Sequence, residues 1–209
     1  MIKILIIDDH VIVREGIKLI LQKEFSELHI EEAENEPEGS KLIRCKKWDI
    51  ILLDITLPGK NGLELLKQMQ YEGIKLPVLV LTMHREELYA IRMIKAGAWG
   101  YISKESSGKQ MIEAIKKILS GKKHITPKVA ELLAESIESD IDKSDLGSIS
   151  DREFQVLCLI ASGKTVTEIA SNLSLGIPTI STYRARILEK LKLKTNAELT
   201  HYAIQEGLA

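Results

Sequence analysis

Two patterns of apolar and polar residues divide the chain near residue 120. Before that point, short β-branched runs alternate with amphipathic stretches of helical period. The runs predict strands at Ile2–Ile7, Leu28–Ala33, Ile50–Leu53, Val78–Leu81 and Trp99–Ile102. The amphipathic stretches predict helices at Val11–Lys23, Pro37–Cys45, Leu63–Tyr71, Glu86–Ala96 and Ser107–Leu119. Strands that alternate with helices form right-handed crossovers, so we expect a five-stranded, parallel, doubly wound α/β domain.

Polar residues stand where these predicted strands end. Asp8 and Asp9 follow the first strand, Asp54 follows the third, Thr82 ends the fourth and Lys104 lies just past the fifth. The carboxyl ends of parallel strands meet at one edge of such a sheet, where these domains bind ligands. Adjacent carboxylates repel each other, which solvent, helix capping or a bound positive charge would relieve. Helix capping would explain Asp8 and Asp9 but not Asp54 or Lys104, so the pattern favours a binding site for a positively charged ligand.

A change of composition separates this region from the rest of the chain. Thr126 and Pro127 are typical of the N-cap and first residue of a helix, which we expect to run to about Glu138. The stretch ESDIDKSDLGS that follows is acidic and without period, which predicts a flexible linker. We therefore expect domains at 1–122 and 149–209, with a linker at 123–148 that contains one helix.

The final segment shows a helical pattern throughout. Ser150 and Glu153 have the spacing of a capping box. The stretch TVTEIASNLSLGIPTISTYRARI predicts two short helices joined by a turn at Gly176, which is typical of a helix-turn-helix. Five basic residues and one acid, Glu189, lie between residues 184 and 194. A basic second helix favours DNA binding over a merely solvated face, within an all-α domain of four helices.

The overall composition adds few constraints. The formal net charge is −1, so the whole molecule has no bulk attraction to nucleic acids or membranes, although a local basic patch remains compatible with it. Cys45 and Cys158 are far apart and lack metal-ligand spacing, which indicates reduced thiols. No apolar stretch approaches the roughly 20 residues of a membrane span, and we expect a soluble, cytoplasmic protein with no membrane partner.

Specific motifs show a resemblance to known proteins. The first 120 or so residues resemble the receiver domain of bacterial two-component response regulators, through the paired acids after the first strand, Asp54 in LLDITLPGKNG, Thr82 in VLVLT and Lys104 in GYISK. The last 60 or so resemble the LuxR-type helix-turn-helix, through SDREFQVLCLIASGKTVTEIASNL and ISTYRARILEKLKLKTNAEL. Together they resemble a response regulator of the NarL/FixJ class.

The resemblance implies phosphoryl transfer. The aspartate that matches Asp54 accepts a phosphoryl group from a sensor histidine kinase in this family, and an aspartate ionised near neutral pH needs no general base for the attack. By the same analogy Asp9, Asp54 and the backbone carbonyl of Thr56 bind Mg²⁺ directly, and Asp8 acts largely through water. Lys104 would balance the remaining phosphoryl charge.

The resemblance also implies a switch that links phosphorylation to the domain surface. The hydroxyl of Thr82 would move to the new phosphoryl oxygen, and the ring of Tyr101 would turn into the vacated space. A threonine at a strand end and a tyrosine in a core are also ordinary structural choices.

For DNA, the resemblance implies a recognition helix that starts near Pro178, with Ile180, Ile187 and Leu191 in the core. Gly176 and Pro178 depart from the family pattern, as does the serine at 181, where family members often have lysine. By analogy the contacts to phosphate, guanine or the groove come from Thr179, Ser181, Thr182, Arg184, Ala185, Arg186, Lys190 and Lys194. Paired DNA-binding domains imply a homodimer, which we expect phosphorylation to promote, on double-stranded promoter DNA with two half-sites.

Three functions are compatible with these residues. The first is a phosphorylation-controlled transcription regulator, which is not an enzyme beyond its own phosphorylation at Asp54. The second is a DNA-binding regulator whose receiver is never phosphorylated and serves only for dimerisation. The third is an aspartyl-phosphate hydrolase, against which the DNA-binding half and the absence of a dedicated substrate pocket argue. The complete acidic site favours the first.

Overall fold

The chain forms two compact units, Met1–Leu132 and Leu133–Ala209. The structure is a computed structural model that describes residues 1–57, 62–82, 86–138 and 148–205. Most of the predicted flexible linker, residues 139–147, lies outside the described residues. No helix in the described ranges has both the length and the apolarity that a membrane crossing requires.

The first unit contains the predicted parallel sheet. Its strands lie in the order β2-β1-β3-β4-β5, and every neighbouring pair is parallel. The strands are β1 (Ile2–Ile7), β2 (Leu28–Ala33), β3 (Ile50–Asp54), β4 (Val78–Thr82) and β5 (Gly100–Ser103). The helices are α1 (Val11–Glu24), α2 (Glu36–Cys45), α3 (Gly62–Tyr71), α4 (Glu86–Lys95) and α5 (Gly108–Leu119). The doubly wound prediction is confirmed, with element ends shifted by at most one residue.

The sheet is buried on both faces because helices cover each side. On one face Ile4 and Ile6 pack in a single apolar cluster with Ile17 of α1 and Ile115 of α5. On the other face Gly39 of α2 lies so close to Ile7 that an added Cβ would sit 2.7 Å from its Cδ1. Burial on both faces explains why the strands are nearly continuous apolar runs rather than alternating ones.

The order of the strands fixes where the polar residues meet. β1 and β3 are hydrogen-bonded neighbours, with Ile7 opposite Leu53, so the residues after Ile7 lie beside Asp54. β4 and β5 follow on the same side, with Thr82 opposite Ser103. The carboxyl ends of β1, β3, β4 and β5 therefore form one continuous edge.

The second unit is helical, and α6 (Pro127–Glu138) spans the division between the units. The second unit also contains α7 (Asp151–Ala161), α8 (Val166–Asn172), α9 (Ile177–Lys190) and α10 (Asn196–Gln205). Ser150 and Glu153 form the predicted capping box, and Thr165 and Glu168 form another at α8. These caps fix the starts of the first two helices of the domain, and the four-helix prediction is confirmed.

Candidate functional site

The structure brings the predicted acidic residues together at the carboxyl edge of the sheet. Lys104 Nζ lies 2.7 Å from Asp8 Oδ2 and 2.8 Å from Asp54 Oδ2. The backbone N–H of Lys104 donates to the carbonyl of Thr82 at 2.7 Å, which ties the segment after β5 to the end of β4. The side chains of Asp8, Asp54 and Lys104 are buried, and that of Asp9 is partly exposed at the rim.

Burial sets the protonation of this cluster. Burial raises the pKa of Asp54 above its usual range, although the neighbouring ammonium of Lys104 acts to lower that pKa. For Lys104, burial alone would lower the pKa, but the carboxylates of Asp54 and Asp8 outweigh it and the pKa is raised. Lys104 therefore remains a cation, and the ionised form of Asp54 depends on positive charge beside it.

The cluster has the donor set for a hard divalent cation. One oxygen each of Asp8, Asp9 and Asp54 is buried and accepts no hydrogen bond of ordinary geometry within the described residues. The Lys104 ammonium lies beside the oxygens of Asp8 and Asp54 as an ion-pair partner. The His10 ring nitrogen lies beside the oxygen of Asp9. Ligand atoms of these three residues and His10 all lie within 4.8 Å of one another. Three carboxylates facing one ammonium leave negative charge that a divalent ion on oxygen ligands would neutralise.

Two backbone features hold Asp54 in place. The N–H of Thr56 donates to Asp54 Oδ1 at 3.2 Å. Gly62 packs against the strand end: its N–H donates to the Ile55 carbonyl at 3.0 Å, and an added Cβ would lie 2.5 Å from the Asp54 carbonyl oxygen. No sequence pattern indicated Gly62, because the contact joins the start of α3 to the end of β3.

A buried arginine beneath the acidic pair was also missed. The guanidinium of Arg14 donates to the Asp8 carbonyl at 2.7 Å, to Glu32 at 2.8 Å and to Glu34 at 2.7 Å. The signal in the sequence was that Arg14 lies on the buried stripe of α1. His10 is mostly exposed, yet its Nδ1 lies 2.9 Å from Asp9 and 3.1 Å from Asp8.

The two predicted switch residues are both inside the first unit. Thr82 is fully buried at the end of β4. Tyr101 is 3% exposed on β5, opposite Val80 of the neighbouring strand. The structure thus places both residues next to the carboxyl edge, and their movement stays a prediction.

In the second unit, α9 has the predicted inner and outer faces. Ile180, Ile187 and Leu191 are buried, as expected of its apolar stripe. The arginine at 184 and the lysine at 190 are half-buried. The other residues predicted to contact DNA are exposed, namely Thr179, Ser181, Thr182, Ala185, Arg186 and Lys194.

Two of the predicted DNA contacts have partners within the domain. Arg184 Nε donates to Asn196 Oδ1 at the start of α10. Lys190 Nζ lies 2.6 Å from the buried carboxylate of Glu153 and donates to the Ser148 carbonyl at 3.0 Å. Lys190 therefore anchors α9 to the start of α7, whereas its sequence position predicted a contact to DNA.

Comparison with known proteins agrees with this arrangement. The family model of the response regulator receiver domain matches residues 4–116, and the model of the bacterial regulatory proteins of the luxR family matches residues 147–203. The chain is a response regulator of the NarL/FixJ class. Members of this class are DNA-binding transcription regulators of two-component systems that depend on phosphorylation, and this chain is one of them.

Relatives match the response regulator along its whole length. It is 34% identical to the response regulator UvrY of Escherichia coli K12, covering 100% of this chain and 96% of UvrY. It is 34% identical to the response regulator GacA of Pseudomonas aeruginosa, covering 100% of this chain and 98% of GacA. RcsB from Salmonella enterica serovar Typhimurium, solved with the promoter P1flhDC and the phosphomimetic BeF₃⁻, is similar with a TM-score of 0.65 at 26% identity, covering 96% of this chain and 97% of RcsB.

Proposed function

We propose that Asp54 is the phosphoryl acceptor of this response regulator, with a sensor histidine kinase as donor. The observation that supports this most is the position of its carboxylate, which is buried beside Asp8 and within 2.8 Å of the Lys104 ammonium. Asp8, Asp9, Asp54 and the carbonyl of Thr56 would hold Mg²⁺, an ion that receiver domains generally bind. Bound there, it would neutralise charge on the transferring phosphoryl group.

The residues of the chain divide the chemistry between them. An ionised oxygen of Asp54 attacks phosphorus, the bond from phosphorus to the donor breaks, and the donor leaves with its electron pair. Thr56 N–H, bonded to Asp54 Oδ1, orients the carboxylate for this attack. Lys104 Nζ, which already contacts Asp54 and Asp8, then pairs with the phosphoryl oxygens. The acyl phosphate that results carries its charge at the end of β3.

The added charge at Asp54 would change the surface of the receiver domain. We propose that Thr82 turns its hydroxyl to the phosphoryl oxygen and that Tyr101 follows it, which changes the surface near β5. This surface change favours a homodimer, which then places two DNA-binding domains on two half-sites. RcsB bound to its promoter supports a DNA complex as the active state of this class.

On the DNA side, α9 is proposed to enter the major groove by its N-terminal part. Its exposed residues Ser181, Thr182 and Ala185 would face the bases, and Thr179 would lie at the phosphate near the helix N-terminus. Arg184, Arg186 and Lys194 would contact phosphate. We assign Lys190 to its ion pair with Glu153 instead of to DNA.

Labelling tests the acceptor directly. The full-length protein, incubated with acetyl phosphate and Mg²⁺, should gain one phosphoryl group in its intact mass. Asp54→Asn should gain none, whereas the surface variant Asp49→Asn should be labelled like the wild type. Normal labelling of Asp54→Asn would show that the acceptor is another residue.

A further inference from the structure

The outer face of α9 is small and uncharged over its first turns. Ile180, Ile187 and Leu191 mark the side that faces the core, and at 100° per residue Thr182 lies almost opposite them. Pro178 and Ala185 flank Thr182 on that outer side, and all three are exposed. The N-terminal residues of a recognition helix are those that reach base edges, so these three side chains have the position for reading bases.

Thr182 has little capacity to donate a hydrogen bond to a base. Its Oγ1 donates to the Pro178 carbonyl within the same helix at 2.9 Å. A donor to guanine O6 or N7 would have to give up that bond. The methyl group of Thr182 remains free for an apolar contact, and Pro178 and Ala185 offer only apolar atoms from their side chains.

Charged side chains that would read guanine are absent from the centre of this face in the described helix. Arg184 is half-buried on another side, and its Nε is held by Asn196. The fourth turn of the outer face instead carries the exposed acid Glu189, which gains nothing from guanine acceptors or phosphate. Arg186 lies at the flank of the face, where a phosphate contact suits it.

Resting on the proposed DNA-binding function, we infer that α9 reads its target chiefly through the C5-methyl groups of thymine, contacted by Pro178, Thr182 and Ala185. Thymine is the base that offers a methyl group to apolar side chains in the major groove. The preferred half-site therefore presents thymines, and not guanines, to the first turns of α9. The ligand class is double-stranded DNA whose half-site is recognised at A·T pairs.

Removing single methyl groups from DNA tests this inference. The full-length protein, treated with acetyl phosphate and Mg²⁺, is used to select duplexes from a random library. Each thymine in the selected half-site is then replaced by uracil, which removes only the C5-methyl group. We expect at least two positions at which the replacement weakens binding about three- to fourfold, the effect of one buried methyl group.

A double-mutant cycle assigns one methyl to Thr182. Thr182→Ser keeps the hydroxyl and removes the methyl, so it should bind thymine DNA as weakly as the wild type binds uracil DNA at the facing position. In that variant the change from thymine to uracil should cost nothing. The control Thr200→Ser, on α10, should retain the full wild-type response.

The outcomes separate this inference from the function on which it rests. Sequence-selective binding that is indifferent to uracil at every position would overturn the methyl reading alone. The inference would also be overturned if replacing guanine by 7-deazaguanine caused the largest loss of binding affinity in the selected half-site. Failure of the phosphorylated protein to select any sequence would overturn the proposed function as well.

Discussion

Arg14 Nη1 donates to the backbone carbonyl of Asp8 at 2.7 Å, directly behind the acidic cluster. The other guanidinium nitrogens bind Glu32 and Glu34, so the arginine is fixed from three directions. Asp8 and Asp9 themselves supply oxygens to the proposed cation site. Arg14 therefore positions the acidic pair through the Asp8 backbone and forms no hydrogen bond with the carboxylate of the proposed acceptor, Asp54, within the described residues.

Removing this arginine should weaken Mg²⁺ binding. We expect Arg14→Gln to raise the dissociation constant for Mg²⁺ by about tenfold, as is typical when a residue that orients metal ligands is changed. Isothermal titration calorimetry measures this constant. Arg44→Gln is the matched control, because Arg44 forms a two-nitrogen ion pair with Glu72 at the surface of the same unit. Equal Mg²⁺ affinity in both variants would contradict the positioning role.

The raised pKa of Asp54 predicts a stability that depends on pH. A carboxyl group whose pKa is raised on folding contributes stability below its unfolded pKa of about 3.9, and that contribution is lost as pH rises through the folded pKa. Asp54→Asn resembles the protonated form. Without Mg²⁺ we expect it to exceed the wild type in unfolding free energy by about 1 kcal/mol at about pH 7, and by almost nothing at about pH 3, where the carboxyl is protonated in both the folded and the unfolded state.

Urea unfolding across this pH range measures the difference. Added Mg²⁺ should stabilise the wild type and leave Asp54→Asn nearly unchanged, because the variant lacks one of the ion's proposed ligands. A variant that is less stable than the wild type at neutral pH would show that burial of Asp54 carries no cost.

Two glycines should respond to alanine in opposite ways. At Gly62 an alanine Cβ would lie 2.5 Å from the Asp54 carbonyl oxygen, so the backbone of the proposed acceptor must shift. We expect Gly62→Ala to destabilise the fold by about 2 kcal/mol and to slow labelling by acetyl phosphate. At Gly16, in the middle of α1, an added Cβ meets nothing within 4 Å.

Gly16→Ala should therefore raise the unfolding free energy by about 0.5–1 kcal/mol, through helix propensity alone, with unchanged labelling. Thermal unfolding and phosphorylation rates measure both variants side by side. Unimpaired labelling of Gly62→Ala would mean that the strand end does not need this close approach.

We expect the ion pair between Lys190 and Glu153 to stabilise the second unit. Burial raises the pKa of Glu153, but hydrogen bonds from Lys190 and Ser150 outweigh it, so the pKa is lowered overall. Lys190→Met leaves the buried carboxylate without its cation and should destabilise the second unit by about 1–2 kcal/mol near neutral pH. A lowered carboxyl pKa means that this stability is lost as pH falls through the folded pKa, so the difference should vanish in acid.

Hydrogen exchange of the amides in α7 and α9 measures this loss in the full-length chain. Lys192→Met, at an exposed position just beyond α9, is the control and should change exchange little. Equal protection in both variants near neutral pH would contradict the anchoring role of Lys190.

Much of the fold and of the acidic site could be predicted from the sequence. Continuous apolar runs separated by amphipathic stretches specify a parallel sheet, because each strand is buried on both faces. Asp8, Asp54 and Lys104 then follow from the rule that strand ends meet at one edge, and the structure places all three within ion-pair distance.

The remaining features depend on long-range side-chain contacts. Arg14 lies 20 residues from Glu34, and Lys190 lies 37 residues from Glu153, so no local pattern pairs them. Lys190 was predicted to contact DNA, because its place in the basic run gives no sign of a buried carboxylate partner in another helix. Position 62 requires glycine because it lies against the backbone carbonyl of Asp54 at the end of β3. The residues next to Gly62 in the sequence give no sign of this contact.

The central claim is that phosphorylation at Asp54 controls binding to DNA with two half-sites, and one titration tests it. Selected duplexes with one or two half-sites are titrated with the wild type and Asp54→Asn, each with and without acetyl phosphate. The phosphorylated wild type should sediment as a dimer and bind two half-sites about a hundredfold more tightly than one, because the second contact is made at high effective concentration. Asp54→Asn should bind weakly in every condition. Equal, tight binding by Asp54→Asn and the phosphorylated wild type would contradict the claim.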